Sequence, residues 1–172
     1  MTIVELINDK TKKAKEKVAT MGKWLLDGSL LTDELLAFAE KANDADKATC
    51  IEAIEFATKQ NPKIADESVF AFVTKSLTEN APRVKLESAR VVGNIAHLFP
   101  TKLNKAINNL LSNSENEGTV VRWAAAFALG EIFKLNTNHN RRLLPAIEAI
   151  CNKEQDNGVR KRYLDAIKSV KR

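Results

Sequence analysis

The sequence is short of the residues that interrupt helices or build sheets. Its 172 residues include only 6 Gly and 4 Pro, and aromatic residues make up 6% of it. Runs of β-branched residues are also scarce. Strands are favoured by β-branched and aromatic runs that alternate with glycine- and proline-rich turns, so this composition argues against a β-sheet protein. An all-α fold of long helices joined by short polar turns is expected instead.

The sequence lacks the features that direct a chain to a membrane or an oxidising compartment. No apolar run approaches the ~18 residues of a membrane-spanning helix, and MTIVELINDKTKKAKEKV has no continuous apolar core of a signal peptide. The two cysteines, Cys50 and Cys151, have no CxxC or metal-ligand spacing. They are predicted to be buried thiols of a cytoplasmic protein without a metal or cofactor.

Motifs of catalysis are missing as well. There is no GxGxxG or GxxxxGK[ST] phosphate loop and no GxSxG nucleophile elbow. The two histidines, His97 and His139, lie outside any HExxH pattern and are not near a pair of cysteines. We therefore predict a protein that is not an enzyme. The net charge of +5 permits an acidic partner such as nucleic acid but does not require one.

What the sequence does contain is an internal repeat of about 38 residues. Its copies are DKATCIEAIEFA, VKLESARVVGNI, VRWAAAFALGEI and VRKRYLDAIKSV, which begin at Asp46, Val84, Val121 and Val159. With the first residue of each copy as position 0, positions 0, 4, 7, 8 and 11 share one arc of a helix that turns about 100° per residue. This arc is apolar or small in nearly every copy, and a second amphipathic pattern and a polar turn precede it.

The repeating unit is therefore helix, turn, helix, and the units are expected to stack. One helical pair cannot bury its apolar face alone, whereas stacked pairs form a continuous core. We predict four units at about residues 29–60, 61–99, 100–137 and 138–172. Residues 1–28 are predicted to form one long helix that caps the first unit. An arm that binds acidic surfaces or dimerises is the alternative for this segment.

The third and fourth units resemble HEAT repeats. LLPAIEAICNKEQDNGVRKRYLDAI has the Leu-Leu-Pro start typical of the first helix, and VRWAAAFALGEI has the Val-Arg, spaced alanines and Ala-Leu-Gly of the second. The resemblance covers about residues 29–172. It implies a right-handed α-α superhelix, armadillo-like, of about four helical hairpins plus an N-terminal helix. It further implies a binding or scaffolding role rather than a reaction, with a protein partner most expected and the oligomeric state open.

Cations recur at position 1 of the repeat and are expected to be structural. The four residues are Lys47, Lys85, Arg122 and Arg160, and acids lie in the preceding turns, at Asp44, Glu79, Glu117 and Asp156. The resemblance implies a ladder of ion pairs that joins neighbouring units.

Candidate partner-binding residues lie on the opposite arc, at positions 2, 6, 9 and 13. The resemblance implies that this arc faces the concave groove of the stack. The residues singled out are Trp123, Phe127, Arg90, His97, Lys134, Lys161 and Lys168. Exposed aromatics among cations suit a protein partner, or the stacked bases of a nucleic acid as an alternative. Equally, both aromatics would serve simply to pack against neighbouring repeats.

One class of enzyme shares this type of groove. The HEAT-like glycosylases of DNA-alkylation repair use Trp and Asp residues in a basic groove, and Trp123 and Asp165 share the arc just described. The sequence lacks that family's Trp-Trp-Asp-like stretch and is short for it. A relative of these glycosylases is therefore kept as a form of the nucleic-acid alternative.

Overall fold

The structure is a computed structural model that describes residues 1–171, and its regular structure is entirely helical. The described residues form ten α-helices: α1 Ile3–Asn8, α2 Ala14–Asp27, α3 Thr32–Lys41, α4 Asp44–Gln60, α5 Glu67–Ser76, α6 Pro82–Ile95, α7 Asn104–Asn113, α8 Thr119–Lys134, α9 Asn140–Lys153 and α10 Asn157–Val170. Short 3₁₀ turns follow α4 and α6, at Pro62–Ile64 and Ala96–Leu98. Within the described range, none of these helices is long and apolar enough to cross a membrane.

Short polar residues fix several of the helix ends. The Asp66 carboxylate accepts a hydrogen bond from the Val69 amide at 3.0 Å and starts α5. The Asp156 carboxylate does the same for the Val159 amide of α10 at 2.9 Å. Each carboxylate satisfies an amide that has no partner inside its helix. Gly28 ends α2 with φ at +80°, a conformation that costs glycine little.

The N-terminal segment differs from its prediction. One long helix over residues 1–28 is wrong, because the chain turns between α1 and α2. The Asp9 carboxylate accepts hydrogen bonds from both the amide (2.9 Å) and the hydroxyl (2.5 Å) of Thr11, which closes a turn. The Lys17 ammonium then donates to the Ile7 carbonyl at 2.5 Å and ties α2 to the end of α1. The segment is thus a short hairpin whose second helix packs on α4.

Four helix pairs follow along the chain, namely α3–α4, α5–α6, α7–α8 and α9–α10. The even-numbered helices form one layer, in which each packs along the next from α2 to α10, whereas consecutive odd-numbered helices meet in few places. Small residues permit this close packing. Ala124, Ala125, Ala126 and Ala128 of α8 are all buried. The predicted α-solenoid is confirmed.

The core runs through the whole stack. Position 8 of the repeat is occupied by Ile54, Val92, Leu129 and Ile167, and all four side chains are buried. They belong to one cluster of aliphatic residues that extends from Ile3 to Ile167. Because each pair buries its apolar face against its neighbours, stability is distributed over the interfaces between pairs.

Two of the cations at position 1 make ion pairs that join neighbouring units, but with acids that follow them in the chain rather than with those of the preceding turns. Lys47 in α4 lies 2.6 Å from the Glu79 carboxylate after α5. The Arg122 guanidinium in α8 donates to both carboxylate oxygens of Glu154 after α9, at 3.0 and 3.3 Å. Each pair spans from the second helix of one unit to the turn of the next.

The other two cations depart from the expected pattern. Lys85 donates to the side-chain oxygen of Asn113 at 3.2 Å, so an amide replaces the acid at this step. Arg160 donates to the Glu154 backbone carbonyl at 2.9 Å. Asp156 acts as a helix cap rather than as an ion-pair partner. The ladder therefore has two ionic steps and one neutral step.

Candidate partner-binding face

We define the even-helix face as the arc of α4, α6, α8 and α10 opposite the core. It is built from Glu52, Glu55, Arg83, Glu87, Arg90, Trp123, Phe127, Lys161, Arg162, Asp165 and Lys168. These side chains come from four consecutive helices of the close-packed layer, so contacts between repeats decide their geometry.

An aromatic pair occupies the middle of this face. Trp123 and Phe127 stack one turn apart on α8, with ring centroids 6.0 Å apart and planes 6° apart. The Phe127 ring lies directly on Gly93 of α6, where an added Cβ would come within 2.4 Å of it. The Arg162 guanidinium of α10 covers the Trp123 ring, 4.6 Å from its centroid. Both rings are half-buried, so they pack against neighbouring helices and keep part of their surface exposed.

The two glycines beside these rings, Gly93 and Gly130, are buried between helices. Gly93 is buried beneath Phe127. Gly130 is buried as well, and a Cβ added there would lie 3.3 Å from the Ala166 methyl of α10. Both glycines therefore allow even-numbered helices to approach each other closely.

A charged network covers the α4–α6 part of the face. Arg90 pairs with Glu55 at 3.1 Å and with Glu87 at 3.0 Å. Arg83 pairs with Glu52 at 3.5 Å. Burial raises the pKa of Glu87 to about 7, Arg90 opposes this rise, and Glu52 and Glu55 add to it. Three carboxylates and two guanidinium groups thus largely neutralise each other here.

The remaining predicted residues do not join one cluster. His97 is exposed in the 3₁₀ turn after α6. Lys134 pairs with Glu131 at 3.1 Å, and Lys161 pairs with Asp165 at 3.0 Å, each within its own helix. Lys168 is exposed on α10, and Arg172, the last position of the arc, lies outside the described residues. Of the seven candidates, only Trp123 and Phe127 form a stacked contact.

Arg162 is the functional candidate that sequence reasoning missed. It sits at position 3 of the repeat, outside the arc chosen from the helical wheel. The sequence did offer one signal, because Arg162 follows Trp123 by one repeat length plus one residue. Only the packing of α10 on α8 shows that the two side chains meet.

Charge is unevenly distributed along the stack. Residues 29–60 contain three Lys or Arg and seven Asp or Glu, whereas residues 138–172 contain nine Lys or Arg and four Asp or Glu. The last hairpin is therefore strongly basic and the first predicted unit is acidic. An extended partner lying across the even-helix face would meet opposite potentials at its two ends.

A cavity of about 630 Å³ opens away from this face, beside the Arg122–Glu154 pair. Its apolar lining comes from Leu111, Ala146 and Ile150 of α7 and α9. Arg122 also donates to the carbonyls of Asn116 and Glu117 there. The polar groups of the ion pair are thus already engaged with the protein itself.

Both cysteine thiols have a raised pKa. Burial raises the pKa of Cys50 to about 12, so its thiol stays protonated. Cys151 is half-buried rather than fully buried, and desolvation raises its pKa too. Among residues 1–171, no group of three or more His, Cys, Asp or Glu side chains is arranged to hold a metal ion.

Comparison with solved structures defines the fold. A designed armadillo repeat protein in complex with the peptide (KR)4 matches with a TM-score of 0.74 at 17% identity, over 97% of this chain and 79% of that chain. Computationally designed armadillo repeat proteins for modular peptide recognition match with a TM-score of 0.74 at 19% identity, over 97% of this chain and 80% of that chain. The complex of CpcE and CpcF of phycocyanin lyase from Nostoc sp. PCC7120 matches with a TM-score of 0.73 at 21% identity, over 96% of this chain and 95% of that chain.

No protein-family model and no curated protein matches the sequence. The structural matches nevertheless agree with the HEAT resemblance of the repeats, and they show that the fold is an α-solenoid like that of armadillo repeat proteins. At these identities the likeness concerns the fold alone.

Proposed function

We propose that the protein is a non-catalytic scaffold that binds a protein partner along the even-helix face. The observation that carries this proposal is the continuous layer of even-numbered helices, on which Trp123 and Phe127 remain half-exposed among charged groups. Because these helices pack more closely than the odd-numbered ones, the stack should bend with the even-helix face on its inner side. An inner face of this kind suits an extended segment.

The similar structures support a protein partner. Two of them are armadillo repeat proteins designed for peptide recognition or in complex with a peptide, and the third is a complex of two proteins. Half-exposed aromatic residues are enriched among the residues that dominate protein interfaces. The free thiols of both cysteines fit a reducing compartment, and we include a cytoplasmic location in the proposal.

A scaffold accounts for the charged residues better than a catalyst does. The carboxylates of the even-helix face are paired with cations, and Asp165, which a glycosylase-like site would need, pairs with Lys161 on an exposed helix surface. A solvated ion pair of this kind is a common surface feature and has little effect on stability.

Site-specific photocrosslinking in an extract of the source cells tests the proposal. A photoreactive benzoylphenylalanine replaces Lys161 on the even-helix face or Lys105 on α7, both of which are exposed lysines. We expect a protein adduct from position 161 that survives nuclease treatment and a much weaker one from position 105. Adducts mainly from position 105 would contradict the proposal. Adducts that disappear with nuclease would favour the nucleic-acid alternative.

A further inference from the structure

We infer that the partner segment is acidic and that Arg162 binds one of its carboxylates. The inference deepens the proposed function, since it rests on the even-helix face as the binding surface. It names both the chemistry of the partner and the residue that recognises it.

Arg162 differs from every other arginine of the even-numbered helices in the described part of the chain. The other four, Arg83, Arg90, Arg122 and Arg160, make an ion pair or donate to a backbone carbonyl. Arg162 has no carboxylate or carbonyl partner among residues 1–171, is exposed, and contacts the Trp123 ring instead. Its hydrogen-bond donors thus remain available to a partner.

Contact with Trp123 also orients these donors. A guanidinium that lies over an aromatic ring keeps its planar edge of N–H groups free, and this edge matches the two oxygens of a carboxylate. The Arg162–Trp123 contact restricts the side chain before binding, so less conformational entropy is lost when a carboxylate docks. The aromatic pair therefore acts as a support for the arginine.

The charge around Arg162 favours an anionic segment. α10 itself contains four Lys or Arg against one acid, Asp165, and Lys168 is exposed on the same helix as Arg162. Positive potential over α10 attracts an acidic partner and speeds its association. At the other end of the face, Glu55 and Glu87 surround Arg90, so that end does not attract an anion.

The same geometry favours an acidic peptide over a single-stranded nucleic acid. Nucleic-acid binding of this type depends on bases that stack on open aromatic rings. Phe127 already stacks on Trp123, and Arg162 covers the ring.

Fluorescence anisotropy tests the inference with a labelled octapeptide of alternating Asp and Glu. An octapeptide of alternating Asn and Gln and an oligothymidylate of eight nucleotides serve as comparison probes. We expect the Asp/Glu peptide to bind at low salt, to dissociate as salt rises, and to bind more tightly than either comparison probe. Absence of Asp/Glu binding, or tighter binding of the oligonucleotide, would overturn the inference.

Matched variants separate recognition by Arg162 from bulk charge. Arg162→Gln should weaken binding of the Asp/Glu peptide about tenfold, and Arg162→Lys should weaken it less, because lysine keeps the charge but not the planar donors. Arg141→Gln removes the same charge from an exposed site on α9 and should change binding less than about twofold. Equal losses for Arg162→Gln and Arg141→Gln would refute a specific role for Arg162.

Melting curves verify that each variant is folded, and the photocrosslinks keep the two hypotheses apart. If protein adducts form at Lys161 while the Asp/Glu peptide does not bind, the acidic-partner inference fails and the scaffold proposal stands. If the peptide binds and depends on Arg162 but no protein adduct forms, the scaffold proposal fails instead.

Discussion

Replacing Arg122 by alanine tests whether the position 1 cations hold the repeats together. The guanidinium donates twice to Glu154 and once each to the carbonyls of Asn116 and Glu117. The Glu154 side chain is only 4% exposed. Arg122→Ala therefore leaves a buried carboxylate without its cation, a change that costs about 3–5 kcal/mol of unfolding free energy in other proteins. Because the Arg122 side chain is itself 20% exposed, we expect a loss of unfolding free energy at the lower end of this range, about 3 kcal/mol.

The expected effect is large enough for an ordinary melting experiment. For a chain of this size, about 3 kcal/mol corresponds to a fall in Tm of about 6–12 °C, followed by circular dichroism at 222 nm. Arg141→Ala, which removes an exposed arginine of α9, should shift Tm by no more than about 2 °C. Native-state hydrogen exchange should show the loss concentrated in α9 and α10, because the pair joins the third unit to the fourth.

The pH dependence provides an independent check. Burial alone would raise the pKa of Glu154, but hydrogen bonds from Arg122 and from the Asp156 amide outweigh it and leave the pKa below its usual value. The pair therefore stabilises the wild type above the unfolded pKa, and this contribution is lost as pH falls through the folded value. The difference in Tm between the wild type and Arg122→Ala should therefore decrease at acidic pH. An unchanged Tm at neutral pH together with lost partner binding would reverse the structural assignment of Arg122.

Three further predictions concern the even-helix face. Because the pKa of Glu87 is raised, its ionisation lowers the free energy of unfolding as pH rises from about 4.5 to 7. In urea titrations, Glu87→Gln should therefore raise the free energy of unfolding by up to about 3 kcal/mol at pH 8 and leave it unchanged at pH 4. Equal gains at both pH values would exclude this cause. Gly93→Ala should lower the free energy of unfolding by about 1–2 kcal/mol, because the added methyl group meets the Phe127 ring, and by less when Phe127 is also replaced by alanine. Additive effects of the two substitutions would contradict the contact between these residues. In a Trp24→Phe background, acrylamide should quench Trp123 partially, and complete shielding would count against a half-exposed ring.

The repeat was predictable because helical periodicity is local. The apolar column at Ile54, Val92, Leu129 and Ile167 follows from spacing alone, and it fixes which side of each second helix is buried. The four helix pairs follow from the same pattern. The N-terminal hairpin was missed because one Asx turn, made by Asp9 and Thr11, interrupts an otherwise continuous amphipathic stripe.

The site was less predictable because it depends on the offset between neighbouring helices where they pack. Trp123 and Phe127 were placed on the correct arc, but their contacts with Arg162 and Gly93 involve helices one repeat away on either side. The ion-pair ladder shows the same limit. Its cations were evident from position 1, whereas the partner of Arg122 proved to be Glu154 in the next unit. A helical wheel describes one helix and holds no information about the offset between two.

The most direct test of the whole account is a map of the binding surface in solution. Amide and indole chemical shifts of ¹⁵N-labelled protein are followed while the Asp/Glu peptide is added. We predict that the largest changes fall on α8 and α10, include the indole N–H of Trp123, and disappear in Arg162→Gln. Changes that cluster on the odd-numbered helices, or that persist undiminished in Arg162→Gln, would contradict it.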